Sequence, residues 1–366
     1  MKIKIFFWLF LIIHFSCSDK SSSTRIKGNI PNLPDGILYL YKDVYNNRID
    51  SVQTKNGQFT IEHNWSANET YPFVYLGIDH VDSKGILRAF SFKTNARFKG
   101  SAYNSQFFLS DSLISLDGEF TEFKQDGVEL PEKVKIVTMP KIKAGYQTNA
   151  LFNSDGDMFT NISKNTYEKI EAKIKQYPNS YHLLYQINNN RNSFTATQNQ
   201  DFLSLFKGRI VASEIFEKLK TYNKKRFDRK QIKLPLLLNN KDEKTEILNT
   251  KYKKHVVVFW ASWCGPCRQE IPELKKMHLQ HKKNIEFVSI SIDAKEKAWK
   301  KALEQENMSW KQLFVNEESV NYEQIEIFFQ LSSSIPYMVL LDDNMNVIRS
   351  SVGLMTGIEL DKFISE

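Results

Sequence analysis

The chain has 366 residues, 41% of them hydrophobic and 25% charged. It is too long for one ordinary domain, and its balance reads as globular and soluble, not disordered. The net charge of +8 lies wholly in residues 1–229, because residues 230–366 hold 19 Lys and Arg against 19 Asp and Glu. The basic cluster Lys218, Lys220, Lys224, Lys225, Arg226, Arg229 and Lys230 is not interleaved with aromatics in a nucleic-acid-binding pattern. It reads as a solvated helix end and linker, so no nucleic acid is expected as partner.

The N-terminus reads as an address. Lys2 and Lys4 precede the apolar run Ile5–Ile13, which is far short of the roughly 20 residues a membrane-spanning helix needs. His14-Phe15-Ser16-Cys17 and the polar stretch Ser18–Thr24 follow. This segment resembles a bacterial lipoprotein signal, with His14 where an aliphatic residue is usual. The resemblance implies a signal peptide over 1–17 and lipidation at Cys17. The mature protein would then lie outside the cytoplasm, in the cell envelope, tethered by lipid to a membrane and facing the periplasm.

Residues 25–150 read as β-rich. Short runs such as Ile37–Tyr41 and Phe59–Ile61 are bounded by the turn dipeptides Asp35-Gly36 and Asn56-Gly57. Further strands are predicted at Phe73–Ile78, Ile86–Phe92 and Leu113–Leu116. This stretch resembles an uncharacterised β-domain that often precedes envelope thioredoxin-like modules, and no catalytic residue carries over from it.

Residues 160–227 read as a helical connecting region. Tyr167, Ile170, Ile174 and Tyr177 recur at helical spacing, Pro178-Asn179-Ser180 starts a new segment, and a last helix is predicted from roughly Gln200 to Tyr222. From 230 to 366 strands and helices alternate. Val256–Phe259 has the continuous apolar character of a buried central strand, and Ile285–Ile292 is a second strand. Helices are predicted from Lys295 to Asn307 and around Tyr322–Leu331. Strands at Tyr337–Leu341 and Asn346–Ser350 form a hairpin, with a closing helix from Gly357. The pattern predicts an α/β fold: a mixed sheet flanked by helices, preceded by the β-rich domain and the helical segment.

The chemistry is concentrated at Trp263-Cys264-Gly265-Pro266-Cys267, where a buried strand ends and a helix begins. A thiol exchanges disulfides as its thiolate, and a helix N-terminus lowers its pKa through free N–H groups and the dipole. Cys264 is expected to be the exposed nucleophile and Cys267, one turn in, the buried resolving thiol. A zinc site using His278 and His281 would need closer spacing than usual and two ligand pairs three turns apart on one helix, so no metal is expected. No cofactor is expected either.

These residues, with Ser334-Ile335-Pro336-Tyr337 about 70 residues on, resemble the thioredoxin fold. The resemblance implies that Pro336 is the cis-proline of that fold and that Trp263 and Ile335 meet the substrate. Cytoplasmic thioredoxins carry a buried Asp six positions before the first cysteine, and Val258 stands there. Glu270, three residues after Cys267, and Pro272, expected to kink the helix, are similar to the membrane-tethered TlpA/ResA-type reductases. In that family a Glu at this position lies near the disulfide, where it would serve as proton acceptor for Cys267. A thiol peroxidase would need Thr where Ala261 stands.

The resemblance implies a thiol–disulfide oxidoreductase of protein-disulfide reductase type. Its partners would be protein thiols and disulfides and an upstream electron donor in the membrane. Thioredoxin, with the same Gly-Pro pair between its cysteines, sits near about −270 mV, whereas oxidases sit near about −120 mV, so the dipeptide favours a reductase. An isomerase or oxidase would use the same atoms, and a binding module regulated by its redox site is a third reading.

Overall fold

This computed structural model describes residues 23–43, 47–66, 72–98, 102–123, 129–139, 142–159 and 164–365; the leader and Cys17 lie outside them. The chain divides into two compact units: one takes residues up to Gln186 with Leu205–Glu217, the other Ile187–Ser204 with Lys218–Glu366. The helical stretch is thus shared between the units.

In the first unit, alternating apolar residues from two sheets meet in one core. Strands Ser23–Asn29, Gln58–Asn64 and Leu113–Asp117 supply Ile26, Ile61 and Ile114 from one sheet. Gly36–Lys42, Tyr75–Asp82 and Leu87–Phe98 supply Leu38, Ile78 and Phe90 from the other. The Asn56-Gly57 turn has φ of 51° and 72°. A Cβ on Gly57 would stand 2.0 Å from the Ile30 carbonyl oxygen, so the site takes only glycine. The strands on either side of this turn, Arg48–Thr54 and Gln58–Asn64, then part into different sheets.

The helix predicted from Gln200 to Tyr222 is two helices, Ala196–Leu205 and Glu214–Phe227, separated by a short 3-10 turn over Gly208–Ala212. Gly208 takes a φ of +79°, and the Ser213 hydroxyl accepts from Phe216 N at 3.4 Å. Apolar spacing ran through the break because a serine that caps a helix reads like one inside it.

The second unit holds the thioredoxin-like fold. Its seven-stranded mixed sheet runs Lys244–Thr245, Leu237–Asn239, Lys311–Phe314, Ile285–Ser291, Lys254–Trp260, Tyr337–Asp342, Val347–Val352. The two strands before Lys254 and the strand Lys311–Phe314 are too short and mixed in character to stand out in the sequence. The central strand pairs in parallel with Ile285–Ser291 and antiparallel with Tyr337–Asp342. Because side chains alternate across a strand, Val257 and Phe259 enter a cluster with Trp299 and Ile325. Val256 and Val258 enter another, with Leu274 and Phe363. Helices therefore cover both faces. The register sets Phe259 opposite Tyr337, which brings Pro336 to the same sheet end as the strand leading into the cysteines.

Candidate redox site

The chain leaves the central strand at Trp260, turns through Ala261–Trp263, and enters the helix Gly265–His281 with Cys264 as its N-cap. Pro266 fits the first turn because its missing N–H would have no helical partner there. Cys264 Sγ accepts a hydrogen bond from Cys267 N at 3.2 Å. The two cysteines form a disulfide with their Cα atoms 5.3 Å apart. Pro272 lies inside this helix, which continues through it.

The expectation of an exposed Cys264 is corrected for this disulfide form: Cys264 is 4% exposed and Cys267 3%. The bond to Cys267 and the N-cap contact turn the Cys264 side chain back onto the first helical turn, within an apolar cluster that includes Phe259 and Ile271. Trp263, at 67% exposure, takes the outward position instead.

Asp293 went unnoticed in the sequence. It is buried just beyond the strand Ile285–Ser291, and its carboxylate accepts from Ser262 N at 2.9 Å, Ser262 Oγ at 2.5 Å and Ser291 Oγ at 2.7 Å. It thereby holds the loop that precedes Trp263 and Cys264. The only sequence signal was an acid at the C-terminal end of a parallel strand, where α/β folds place their sites.

The Ile335–Pro336 peptide is cis, and the Pro336 carbonyl accepts from Gly353 N at 2.8 Å. Gly353 has a φ of +93°, a conformation glycine adopts without strain. Glu270 lies one turn beyond Cys267, on the same face of the helix. It is 1% exposed, and its Oε1 accepts from Met355 N at 2.8 Å. Burial pushes its carboxyl up to about 7, against the lowering effect of that hydrogen bond. Val258 packs among Leu274, Met277 and Met338, so no acid enters from the central strand at this point.

A second polar group sits at the opposite end of the same strand. His255 Nδ1 and Glu286 Oε2 are 2.8 Å apart, Asn249 N donates to that oxygen at 2.7 Å, and Lys311 Nζ donates to Oε1 at 2.7 Å. It is remote from the cysteines along the strand and serves the sheet, not the site. His278 packs against Phe287 and Trp310, each at a ring-centroid distance of 5.3 Å.

Fold and cysteine pair together define a thioredoxin-like module with a C-x-x-C site. Residues 252–347 match the family described as Thioredoxin-like, and residues 24–175 match a domain of unknown function, DUF4369. The chain is similar to the Thioredoxin-like protein YneN of Bacillus subtilis, 36% identical over 58 residues, 16% of this chain and 34% of that protein. It is similar also to Thiol-disulfide oxidoreductase ResA of Oceanobacillus iheyensis, 37% identical over 57 residues, 15% of this chain and 30% of that one. The chain thus spans about a third of the length of these curated relatives. Among solved structures it resembles StoA from Bacillus subtilis, at 19% identity and a TM-score of 0.30, over 36% of this chain and 95% of that one.

Proposed function

We propose that this chain reduces disulfides of partner proteins in the cell envelope, held to a membrane by a lipid on Cys17. The observation that carries the reading is a disulfide-bonded cysteine pair at a helix N-terminus with a buried carboxyl one turn beyond it. In the reduced form, Cys264 thiolate attacks one sulfur of a partner disulfide, forming a mixed disulfide and releasing one partner thiolate, which takes a proton. Cys267 passes its proton to Glu270 and attacks Cys264 Sγ, releasing the second partner thiolate. Two electrons have moved to the partner, and the Cys264–Cys267 disulfide remains. An upstream dithiol donor in the membrane restores it by the same exchange in reverse. Trp263 and Ile335, flanking the pair, meet the partner chain beside Pro336.

The test is electron transfer from the pre-reduced protein to hydroxyethyl disulfide and to insulin. Both should be reduced, with loss of activity in Cys264→Ala and accumulation of mixed disulfides in Cys267→Ala. No transfer to either substrate defeats the reading. Equilibration with glutathione separates the direction: a potential near that of thioredoxin, about −270 mV, supports a reductase, and one near about −120 mV an oxidase.

A further inference from the structure

A cavity of about 590 Å³ opens against Trp263, the residue before Cys264, entirely within the second unit. Trp263, next to Cys264, and Ile335, next to Pro336, both line it. The turn around Arg191 and Asn192 lines it too, and this turn precedes the segment matching the Thioredoxin-like family. That turn is fastened to the fold. Arg191 Nη2 donates to both oxygens of Glu326 at 3.0 and 2.9 Å, and Asn192 Nδ2 donates to Oε1 at 2.5 Å. Tyr222 OH donates to Asn192 Oδ1 at 2.6 Å, and the Arg191 guanidinium lies 4.4 Å from the Tyr222 ring centroid.

We propose that this cavity is the recognition subsite for partner polypeptide beside its reactive disulfide, and that it selects a Lys or Arg side chain there. The inference rests on the reductase reading above. The charges decide the sign. Arg191 is neutralised by the Glu326 carboxylate it grips. Glu317 also lines the cavity, is exposed, and has no ion-pair partner among the described residues. Among the residues that line the cavity one uncompensated negative charge is left, and Arg226, behind Arg191, has its guanidinium turned onto the Arg191 and Phe194 carbonyls. Tyr322 and the serines at 332–334 line the same space, and hydroxyls can accept from an ammonium or guanidinium. An acidic side chain would face the Glu317 carboxylate and a guanidinium already occupied by Glu326. Reach is not limiting, because an extended strand advances about 3.3 Å per residue, so side chains one to three residues from the partner cysteine pass Trp263 and Ile335.

The experiment uses the pre-reduced full chain and two disulfide-bonded peptides, identical except for Lys or Glu at the two positions flanking cysteine. At low ionic strength kcat/KM should favour the Lys peptide by about two- to fivefold, the range of an exposed charge pair. The preference should shrink in high salt, and Glu317→Lys should abolish or reverse it. Equal rates in the unmodified chain, a preference for the Glu peptide, or a Lys preference that survives Glu317→Lys would overturn the proposal. Hydroxyethyl disulfide, which carries no charge, separates the two levels. Its reduction together with equal peptide rates defeats the subsite alone, while no reduction of it or of either peptide defeats the reductase reading and the subsite with it.

Discussion

Met355 donates its backbone N–H to Glu270 Oε1 at 2.8 Å, from the turn that follows the last strand. The acid one turn beyond Cys267 is therefore held from two elements, its own helix and the chain leaving the sheet. A hydrogen bond to a carboxylate lowers its pKa, yet burial outweighs it and leaves the group titrating at about 7 instead of 4.5.

That balance has a pH signature. An acid whose folded pKa is raised holds its proton longer in the folded chain than in the unfolded one. The cost of ionising it is absent below about pH 4.5, grows as pH rises to about 7, and is complete above that. Denaturation of the oxidised protein should show the native chain losing stability relative to Glu270→Gln across this window, by on the order of 3 kcal/mol. In exchange assays Glu270→Gln should slow the resolving step about 100-fold, the size of general acid–base catalysis, and flatten its pH profile. A native rate and profile would leave Glu270 with a packing role only.

Removing Asp293 would leave the Ser262 N–H and two serine hydroxyls without their acceptor. Asp293→Ala should cost about 3 kcal/mol and lower kcat more than it raises KM, because the loop bearing Trp263 and Cys264 loses its tether. Asp293→Asn keeps one acceptor oxygen and should recover part of both losses. Denaturation midpoints and steady-state kinetics on the two variants check this.

Glu286 makes the opposite pH prediction. Burial alone would raise its pKa, but hydrogen bonds from His255, Asn249 and Lys311 outweigh burial and hold the carboxyl below its ordinary 4.5. Its contribution is present above about pH 4.5 and is lost as pH falls through the lower folded value. Glu286→Ala strands those partners in a buried site and should destabilise by about 3 to 5 kcal/mol at pH 7. The difference should narrow in acid. Disulfide exchange per folded molecule should change little, since this group lies at the far end of the strand from the cysteines.

The proposed lipid anchor on Cys17 is tested apart from the chemistry. Cys17→Ala should move the protein from the membrane fraction to the soluble fraction of cells while the purified chain still reduces insulin. Unchanged partition would remove the anchor and leave the redox reading intact.

What the sequence determined by itself is local. Val256–Phe259, the Trp-flanked cysteine pair and Pro266 are adjacent along the chain, so burial, nucleophile and helix start could be read in one pass. Asn56-Gly57 announces its turn because few residue pairs take positive φ twice. Beyond Pro336 and Ile335, which the resemblance named, only the tertiary structure decided which distant residues complete the site and how they reach it. The strand register brings Pro336 and Gly353 to the cysteine end of the sheet, and the crossover from Ile285–Ser291 delivers Asp293 to Ser262. Met355 reaches Glu270 across a separation of 85 residues, and Arg191 reaches Glu326 across 135. Such contacts carry no periodic trace, because a hydrogen bond needs one donor and one acceptor in the right place and no pattern of neighbours. The exposure of Cys264 was misread for a related reason: solvent access depends on how a side chain turns against the whole fold, which its place in a motif does not determine.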